Sequence, residues 1–368
     1  MVRIKCYHKG GNAMQQGQIK YFLGTNSSIG FYSLFDELYD PFENSRAYII
    51  KGGPGTGKSG LLKKIAKKAN EKGIQCEMIY CSSDPDSLDA VILPQMKICI
   101  ADGTAPHVIE PKFPGCVEQI VNLGEFWDTD KLRKNADEIR ALTVENQGYH
   151  QRAQRFLNAS NALDSDSRKI ASQYTDYEKL INYSVRLARR ELGCAAVGKK
   201  AKKRMLSAVT PNGLMTFEST IKTLCDRIVV IDDCIGDTSE RILKLLAEYA
   251  QGCGYSAVVC PSATFVTGID QLLVPELSLA FVREQTVEDV LPIKKIHARR
   301  FMDSIGIKNH KYRMRFNKKA VNDLQNEAVK LLKTAKQTHD KLETFYIDAM
   351  NFDAVNDKTN KLMKEIGL

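Results

Sequence analysis

Ala47-Tyr-Ile-Ile-Lys-Gly-Gly-Pro-Gly-Thr-Gly-Lys-Ser-Gly-Leu-Leu-Lys-Lys-Ile-Ala66 is the stretch on which the reading of the chain turns. Ala47, Tyr48, Ile49 and Ile50 form a short apolar run that predicts a buried strand. Leu61, Leu62, Ile65 and Ala66 recur three and four apart, as the inner face of a helix does. Between them, Gly52, four residues, Gly57, Lys58 and Ser59 have the spacing of a phosphate-cradling turn. Backbone N–H groups and the helix N-terminus face the anion, the lysine reaches its outer phosphates, and the serine hydroxyl serves Mg²⁺. Gly53, Gly55 and Gly57 suit backbone angles that a Cβ forbids and a close approach to the ligand.

On these residues the sequence resembles the P-loop NTPases, and Gly53-Pro-Gly-Thr-Gly-Lys-Ser59 resembles the variant common among AAA-type ATPases. The resemblance implies ATP or another NTP with Mg²⁺, held by Gly52, Gly53, Pro54, Gly55, Thr56, Gly57, Lys58, Ser59 and Gly60.

With 368 residues the chain exceeds what one core usually holds, which predicts two domains. No run approaches the roughly 20 apolar residues of a membrane span, and Met1-Val-Arg-Ile-Lys-Cys-Tyr-His8 has no apolar signal region. Ten cysteines without a CxxC pair argue against a zinc site and against a disulfide framework, so a cytoplasmic protein with reduced thiols is expected. The net charge of +9 suits an anionic ligand or partner. Lys199, Lys200, Lys202, Lys203 and Arg204 either touch nucleic acid or form a solvated connector; no aromatic residues interleave with them to stack on bases.

Sliding the chain on itself by 181 residues lays Leu62, Lys63, Ala66, Ala69 and Gly73 on Leu243, Lys244, Ala247, Ala250 and Gly254. The register continues without a gap through Asp89 on Asp270 and Pro94 on Pro275, and a two-residue slip upstream sets Gly30 on Gly213. Each half reads as strand, loop, helix, strand, helix, strand, which predicts an α/β fold of two tandem modules, each a mostly parallel sheet with helices on both faces. A turn at Pro211, Asn212 and Gly213 lies near the entry to the second.

A long helical arm is expected after each sheet. Val321, Leu324, Ala328, Leu331, Ala335, Thr338, Leu342, Phe345 and Ala349 form one seam. Leu132, Ala136, Ile139, Leu142, Tyr149, Ala153 and Phe156 form the other, followed by a polar turn at Asp164 to Ser167 and a further helix through Ile170 and Ile181. A shift of 189 residues aligns His150 with His339 and Phe156 with Phe345, so the arms read as duplicated too. The segments are thus 1–130, an intact module; 131–198, its arm; 199–290, a degenerate module; and 291–368, the second arm. The arms' apolar stripes pack on each other or on the sheets, or serve a protein partner.

The second copy is an internal control. Gly53, Gly57, Lys58 and Ser59 become Cys234, Thr238, Ser239 and Glu240, and Asp232, Asp233 and Asp237 add charge that repels phosphate. Polar residues lost together with the loop are candidates for its chemistry. Asp102, at the end of the run Ile98-Cys-Ile-Ala101, becomes Arg283; it stands where a P-loop enzyme holds its Mg²⁺ shell, or is a turn residue. Asp84 and Asp86 become Phe265 and Gly-flanking Thr267; they orient a water or accept a proton, or form an Asp-Pro-Asp turn capping a helix. His107 becomes Glu288 and either contacts nucleotide or is satisfied within its loop. Asp89 and Pro94 persist, so they read as architecture.

Cys81-Ser-Ser-Asp-Pro-Asp-Ser-Leu-Asp89, Asp102-Gly-Thr-Ala-Pro-His107 and the doubled layout resemble, along nearly the whole chain, a little-characterised bacterial family of tandem P-loop ATP-binding proteins. The resemblance implies nucleotide binding on a duplicated fold. Members of that family tend to carry the loop in both halves, and this chain departs there. Three functions follow as expectations: Mg²⁺-dependent ATP hydrolysis at one site, with Lys58, Asp84 and Asp86 catalytic and Ser59 and Asp102 on the metal; an ATP-dependent small-molecule kinase; or a nucleotide-gated module binding protein or nucleic acid through its arms. Gly103 stands where AAA-type hydrolases place a second acid, which weakens the motor reading.

Overall fold

A computed structural model describes residues 18–43, 45–193 and 201–368. Met1 to His8, Lys199 and Lys200 lie outside the described residues. The first half runs β1 (Ile19–Phe22), β2 (Gly24–Ser27), β3 (Gly30–Ser33), β4 (Arg46–Lys51), α1 (Lys58–Glu71), β5 (Glu77–Tyr80), β6 (Leu88–Leu93), β7 (Ile98–Asp102) and β8 (Glu118–Asn122). Helices α2 (Thr129–Lys134), α3 (Ala136–Gln173) and α4 (Tyr177–Leu192) follow. The second half repeats the order: β9 (Lys202–Lys203), β10 (Ser207–Thr210), β11 (Gly213–Thr216), a short α5 (Glu218–Leu224), β12 (Arg227–Asp232), α6 (Asp237–Gly252), β13 (Val258–Pro261), β14 (Ile269–Val274), β15 (Leu279–Arg283) and β16 (Lys294–His297). It closes with α7 (Ser304–Lys308), α8 (Lys311–Ala349) and α9 (Phe352–Glu365).

The chain is two α/β modules of one topology. The sheets have the orders β1-β5-β6-β7-β4-β8 and β9-β13-β14-β15-β12-β16. Within each, β6 or β14 is antiparallel to both neighbours and every other pairing is parallel. The segment expected as a second helix is therefore a strand. Leu88-Asp-Ala-Val-Ile-Leu93 is six residues long and buried throughout, and Pro94 ends it, as suits a central strand rather than a helix. Because β4 lies between β7 and β8, the glycine loop and Asp102 leave adjacent strands on one edge of the sheet.

Side-chain alternation assigns the faces. Tyr48, Ile50, Val91, Leu93, Ile98 and Ile100 pack under α1 with Leu62, Ile65 and Ala69, joined by Val355 and Leu362 of α9. Val229, Ile231, Leu272, Val274 and Phe281 do the same under α6, joined by Leu180 and Leu187 of α4. The opposite faces, Ala47, Ala90, Cys99 and Ala101 in one sheet and Ile228, Val230, Ala280 and Val282 in the other, enter a single cluster with Phe22, Phe35, Leu38, Met205 and Ile221. Helices on both faces were expected; long helices cover one face of each sheet, and the other is buried in a core the two halves share. The small residues there permit that close approach.

The joint between the halves also takes in two residues of the basic run, Lys202 and Arg204. Phe22 and Met205 exchange backbone hydrogen bonds of 2.8 and 3.0 Å. Arg204 is buried, pairs with Glu77 at 3.2 Å and donates to the Glu37 carbonyl at 2.8 Å, while Lys202 lies 3.4 Å from Glu77. Burial raises the Glu77 carboxyl, and Arg204 and Lys202 overcome that and hold it below the usual range.

The shift of 181 residues holds for β4 and β12, β5 and β13, β6 and β14, and β7 and β15, and a shift of 183 relates the hairpins, where Gly30 and Gly213 have φ of 104° and 100°. For the arms the expected 189 is corrected to 175, the offset between the starts of α2 and α7, α3 and α8, and α4 and α9. The difference is two heptads: a seam repeating every seven residues matches itself equally well at either offset. Asp164 to Ser167 form no turn but lie inside α3, where Asp164 pairs with Arg168 at 2.8 Å and Asp166 with Arg313. The chain breaks instead at Tyr174. Two drawn boundaries also fall inside structure: α2 straddles residue 130, and β16 of the second sheet lies beyond 290.

The arms pack against each other in antiparallel fashion, with Arg313 near the start of α8 on Asp166 near the end of α3. They span about 58 Å at 1.5 Å per residue and cross over both modules, seated at mid-length on Val209 and Ala263 through Ala153, Leu157, Ala328 and Leu332. Each arm ends on the other half. Asp176 N–H bonds Phe301 O at 2.7 Å and Asp303 N–H bonds Tyr174 O at 2.8 Å, while Asp128 N–H bonds Ala349 O at 2.8 Å and Asn351 N–H bonds Phe126 O at 3.0 Å. Thus α4 covers the second half and α9 the first. Among the described residues no helix is long and apolar enough to cross a membrane.

Candidate functional site

The glycine loop leaves β4 and enters α1 at Lys58, with Gly55 and Gly57 at φ of 68° and 89° in the left-handed region that glycine tolerates. Lys58 Nζ donates to the carbonyls of Gly52 at 3.2 Å and Gly53 at 2.6 Å and lies 3.6 Å from Asp102 Oδ2. Thr56 closes the loop on the Gly53 carbonyl at 2.9 Å. Ser59 Oγ accepts from the N–H of Leu88 at 3.0 Å, which brings the start of α1 against β6.

Asp102 ends β7 and is buried; one oxygen accepts from the Thr104 N–H at 2.9 Å and hydroxyl at 2.6 Å, leaving the other toward Lys58. Asp89, read from sequence as architecture, lies in the same cluster. Burial first, then the Asp102 carboxylate, push Asp89 up to about 8, and Lys58 opposes them. A cation, the Asp102 carboxylate with the Asp89 carboxyl beside it, and a hydroxyl at a helix N-terminus suit a polyphosphate with a hard divalent ion, which binds through one or two carboxylates plus phosphate and water. Among the described residues no group of three or more His, Cys, Asp or Glu is placed to hold a metal by itself.

The remaining candidates divide. Asp84 accepts from the Ser87 hydroxyl at 2.5 Å and lies 3.3 Å from Lys336 of α8. Asp86 is exposed, and its charge is felt at Tyr80 rather than in this cluster. His107 is buried, stacked on Phe35 at 4.1 Å, with Nε2 3.9 Å from Asp89. Burial pushes it down to about 4, so the ring is neutral at pH 7. Gly60 sits on the exposed side of α1.

In the equivalent loop of the second half the charged groups are paired by other groups of the chain. Asp233, at the position of Gly52, is buried and accepts from the N–H groups of Ser239 at 2.8 Å and Ile235 at 3.1 Å. A carboxylate of the chain itself thus occupies the N-terminus of α6. Arg283, in place of Asp102, pairs with Asp270 at 3.4 Å and donates to the Asp233 carbonyl at 3.3 Å. Arg283 therefore serves its own half, and Arg300 stacks on Tyr183. Asp232 bonds His297 at 2.7 Å, Asp237 pairs with Arg241 at 3.2 Å, and Glu240 pairs with Arg168 at 3.0 Å and Lys244 at 2.5 Å.

Sequence reasoning missed the arm. The carboxyl end of α8 lies on the first loop: Glu343 Oε1 accepts from the N–H of Gly55 at 3.1 Å. A Cβ on Gly53 would stand 2.7 Å from Tyr346, and one on Gly55 would stand 2.8 Å from the Glu343 carbonyl. Phe352 and Val355 approach Gly57. A groove of about 600 Å³ opens beside this contact, but its carboxylates Glu125, Asp128, Asp348 and Asp353 are unsuited to phosphate. The signal in the sequence was the 175-residue register, which pairs Glu343 with Arg168, a reversal of charge matching the reversal in the loops. No family model, curated protein or solved structure matches the chain.

Proposed function

We propose that the first half binds a nucleoside triphosphate, ATP in the first instance, with Mg²⁺ and hydrolyses it, while the second half binds none. The observation that carries this is the contrast within the chain: where one loop has Lys58 beside Asp102 and Asp89, its copy has filled the anion position with Asp233 and the carboxylate position with Arg283. The loop N–H groups and Lys58 would take the phosphates, and Ser59 and Asp102 would hold the ion, with Asp89 at its flank. When bound, Mg²⁺ neutralises charge developing on the phosphates. Asp84, on the neighbouring loop, would orient the attacking water; Asp86 is too exposed to share that role. His107, neutral and stacked in the interior, lines the cluster at Asp89 rather than meeting phosphate.

ATP and Mg²⁺ at about 100 times the dissociation constant should stabilise the protein by roughly 2.7 kcal/mol in thermal melts. No shift with any nucleoside triphosphate would sink the reading. Free phosphate as product supports hydrolysis; a phosphorylated small molecule would replace it with the kinase alternative.

A nucleotide-gated binding module is the second reading, favoured by α8 itself. Its last turns lie on the loop, while its first turns expose Tyr312 (85%) and Phe316 (66%) beside the exposed row Lys311, Arg315 and Lys319. Basic residues beside open rings suit single-stranded nucleic acid. At the equivalent start of α3 stand Asp137, Arg140, Ala141 and Val144, so the surface belongs to the second arm alone. Binding of an oligonucleotide that falls steeply with salt and changes with ATP supports it; equal affinity with and without ATP removes it.

A further inference from the structure

An unliganded phosphate loop presents N–H groups whose partner is absent, an unfavourable state for backbone donors held in fixed geometry. In the second half the chain supplies the anion locally, through Asp233, and the crossing arm answers that acidic loop with a cation: Arg168 donates to Gly236 O at 3.0 Å, pairs with Glu240 at 3.0 Å and lies over the Phe265 ring at 4.3 Å. In the first half the loop is electropositive, and the crossing arm carries the opposite charge at the equivalent residue. Glu343 corresponds to Arg168 by the arm register, and Gly55 corresponds to Gly236 by the sheet register. Each arm thus places on its loop the charge that the loop lacks.

We propose that Glu343 is a built-in surrogate for a nucleotide phosphate: its carboxylate holds the loop N–H of Gly55, and an incoming polyphosphate must displace it together with the end of α8. This rests on the nucleotide reading of the first half and adds its regulation. Three further contacts agree. The His339 side chain and the Gly55 N–H hold the Glu343 carboxyl below the usual carboxylate range against the effect of burial, so it is an anion at neutral pH. Lys336, two turns earlier, pairs with Asp84 at 3.3 Å, so the same helix restrains the residue assigned to the water. Tyr346 and Ile347 press on Gly53 and Gly55, so the carboxylate is delivered by a packed helix rather than a free side chain. Because α8 belongs to the second half and leads into α9 on α1, displacement at the loop is transmitted along an element that spans both modules.

The test is calorimetric titration of the full chain with Mg²⁺–ATP and, separately, with inorganic pyrophosphate. Glu343→Ala should bind both at least tenfold more tightly than the parent, Glu343→Gln should fall between, and Lys58→Ala/Glu343→Ala should bind both about a hundredfold more weakly than Glu343→Ala. Circular dichroism and thermal melts check that each variant is folded. Equal or weaker binding by Glu343→Ala than by the parent overturns the surrogate while leaving the nucleotide site standing. Absence of binding by parent and Glu343→Ala alike overturns both.

Discussion

The loops after β4 and β12 occupy the same place in the same topology, yet one holds Lys58 beside its acids under the end of α8 and the other is a closed network of side chains. In the first, Lys58 lies beside Asp102, with the carboxyl of Asp89, pushed up to about 8, next to them. In the second, Asp233 accepts from the first turn of α6, Arg283 pairs with Asp270, and Arg168 pairs with Glu240. On the function proposed above, losing a polyanion site requires more than losing its lysine. Each group that the ligand would have satisfied needs a partner from the chain, since buried polar and charged groups left alone are costly.

The sharpest way to break this comparison is at one equivalent position. Arg283→Ala leaves Asp270 buried without its cation and should cost about 3 kcal/mol, read as a lowered denaturant midpoint. Asp102→Ala removes one of two neighbouring carboxylates and should change the stability of the ligand-free protein by under about 1 kcal/mol. Equal losses from the two would show that the sites are not complementary in the sense drawn here. Next in size, Lys58→Ala should weaken Mg²⁺–ATP binding by about a hundredfold, about 2.7 kcal/mol, whereas Ser239→Lys should create no second site by calorimetry because Asp233 still fills it. Smaller again, Asp233→Ala removes the acceptor of the Ser239 N–H in the first turn of α6 and should cost about 1 kcal/mol, without giving the second half any affinity for ATP.

A pH titration sharpens the joint between the halves. Glu77 is buried between them with its pKa lowered by Arg204 and Lys202, so the unfolded carboxyl binds a proton more readily than the folded one. Its contribution is therefore present above the ordinary carboxylate range and fades as pH falls through the lowered folded value. Arg204→Ala should flatten that acid limb in denaturation midpoints measured from neutral pH downward; an unchanged limb would remove Glu77 as its source.

Much of the fold was legible because duplication let each half check the other: the 181-residue register, the hairpin slip at Gly30 and Gly213 and the degenerate loop all survive in the structure. The strand β6 was misread because a short apolar run has no period that separates strand from helix. The arm register was misread because heptads alias. The proximity of Asp89 to Asp102 and Lys58 was not legible, because its persistence as Asp270 says nothing of a neighbour that changes from carboxylate to guanidinium between the copies.

By itself the sequence determined what local pattern can encode: a strand, a glycine turn with Lys58 and Ser59, a helix, and the same design written again without its cations. Only the tertiary structure decided that the arms change places, that the two sheets share a core, and that Glu343, nearly three hundred residues from Gly55, lies on the loop. The reason is range. Periodicity and turn chemistry act over a few residues, whereas the partner of a loop N–H is chosen by how whole helices pack, and helix packing has no signature at the residues it brings together.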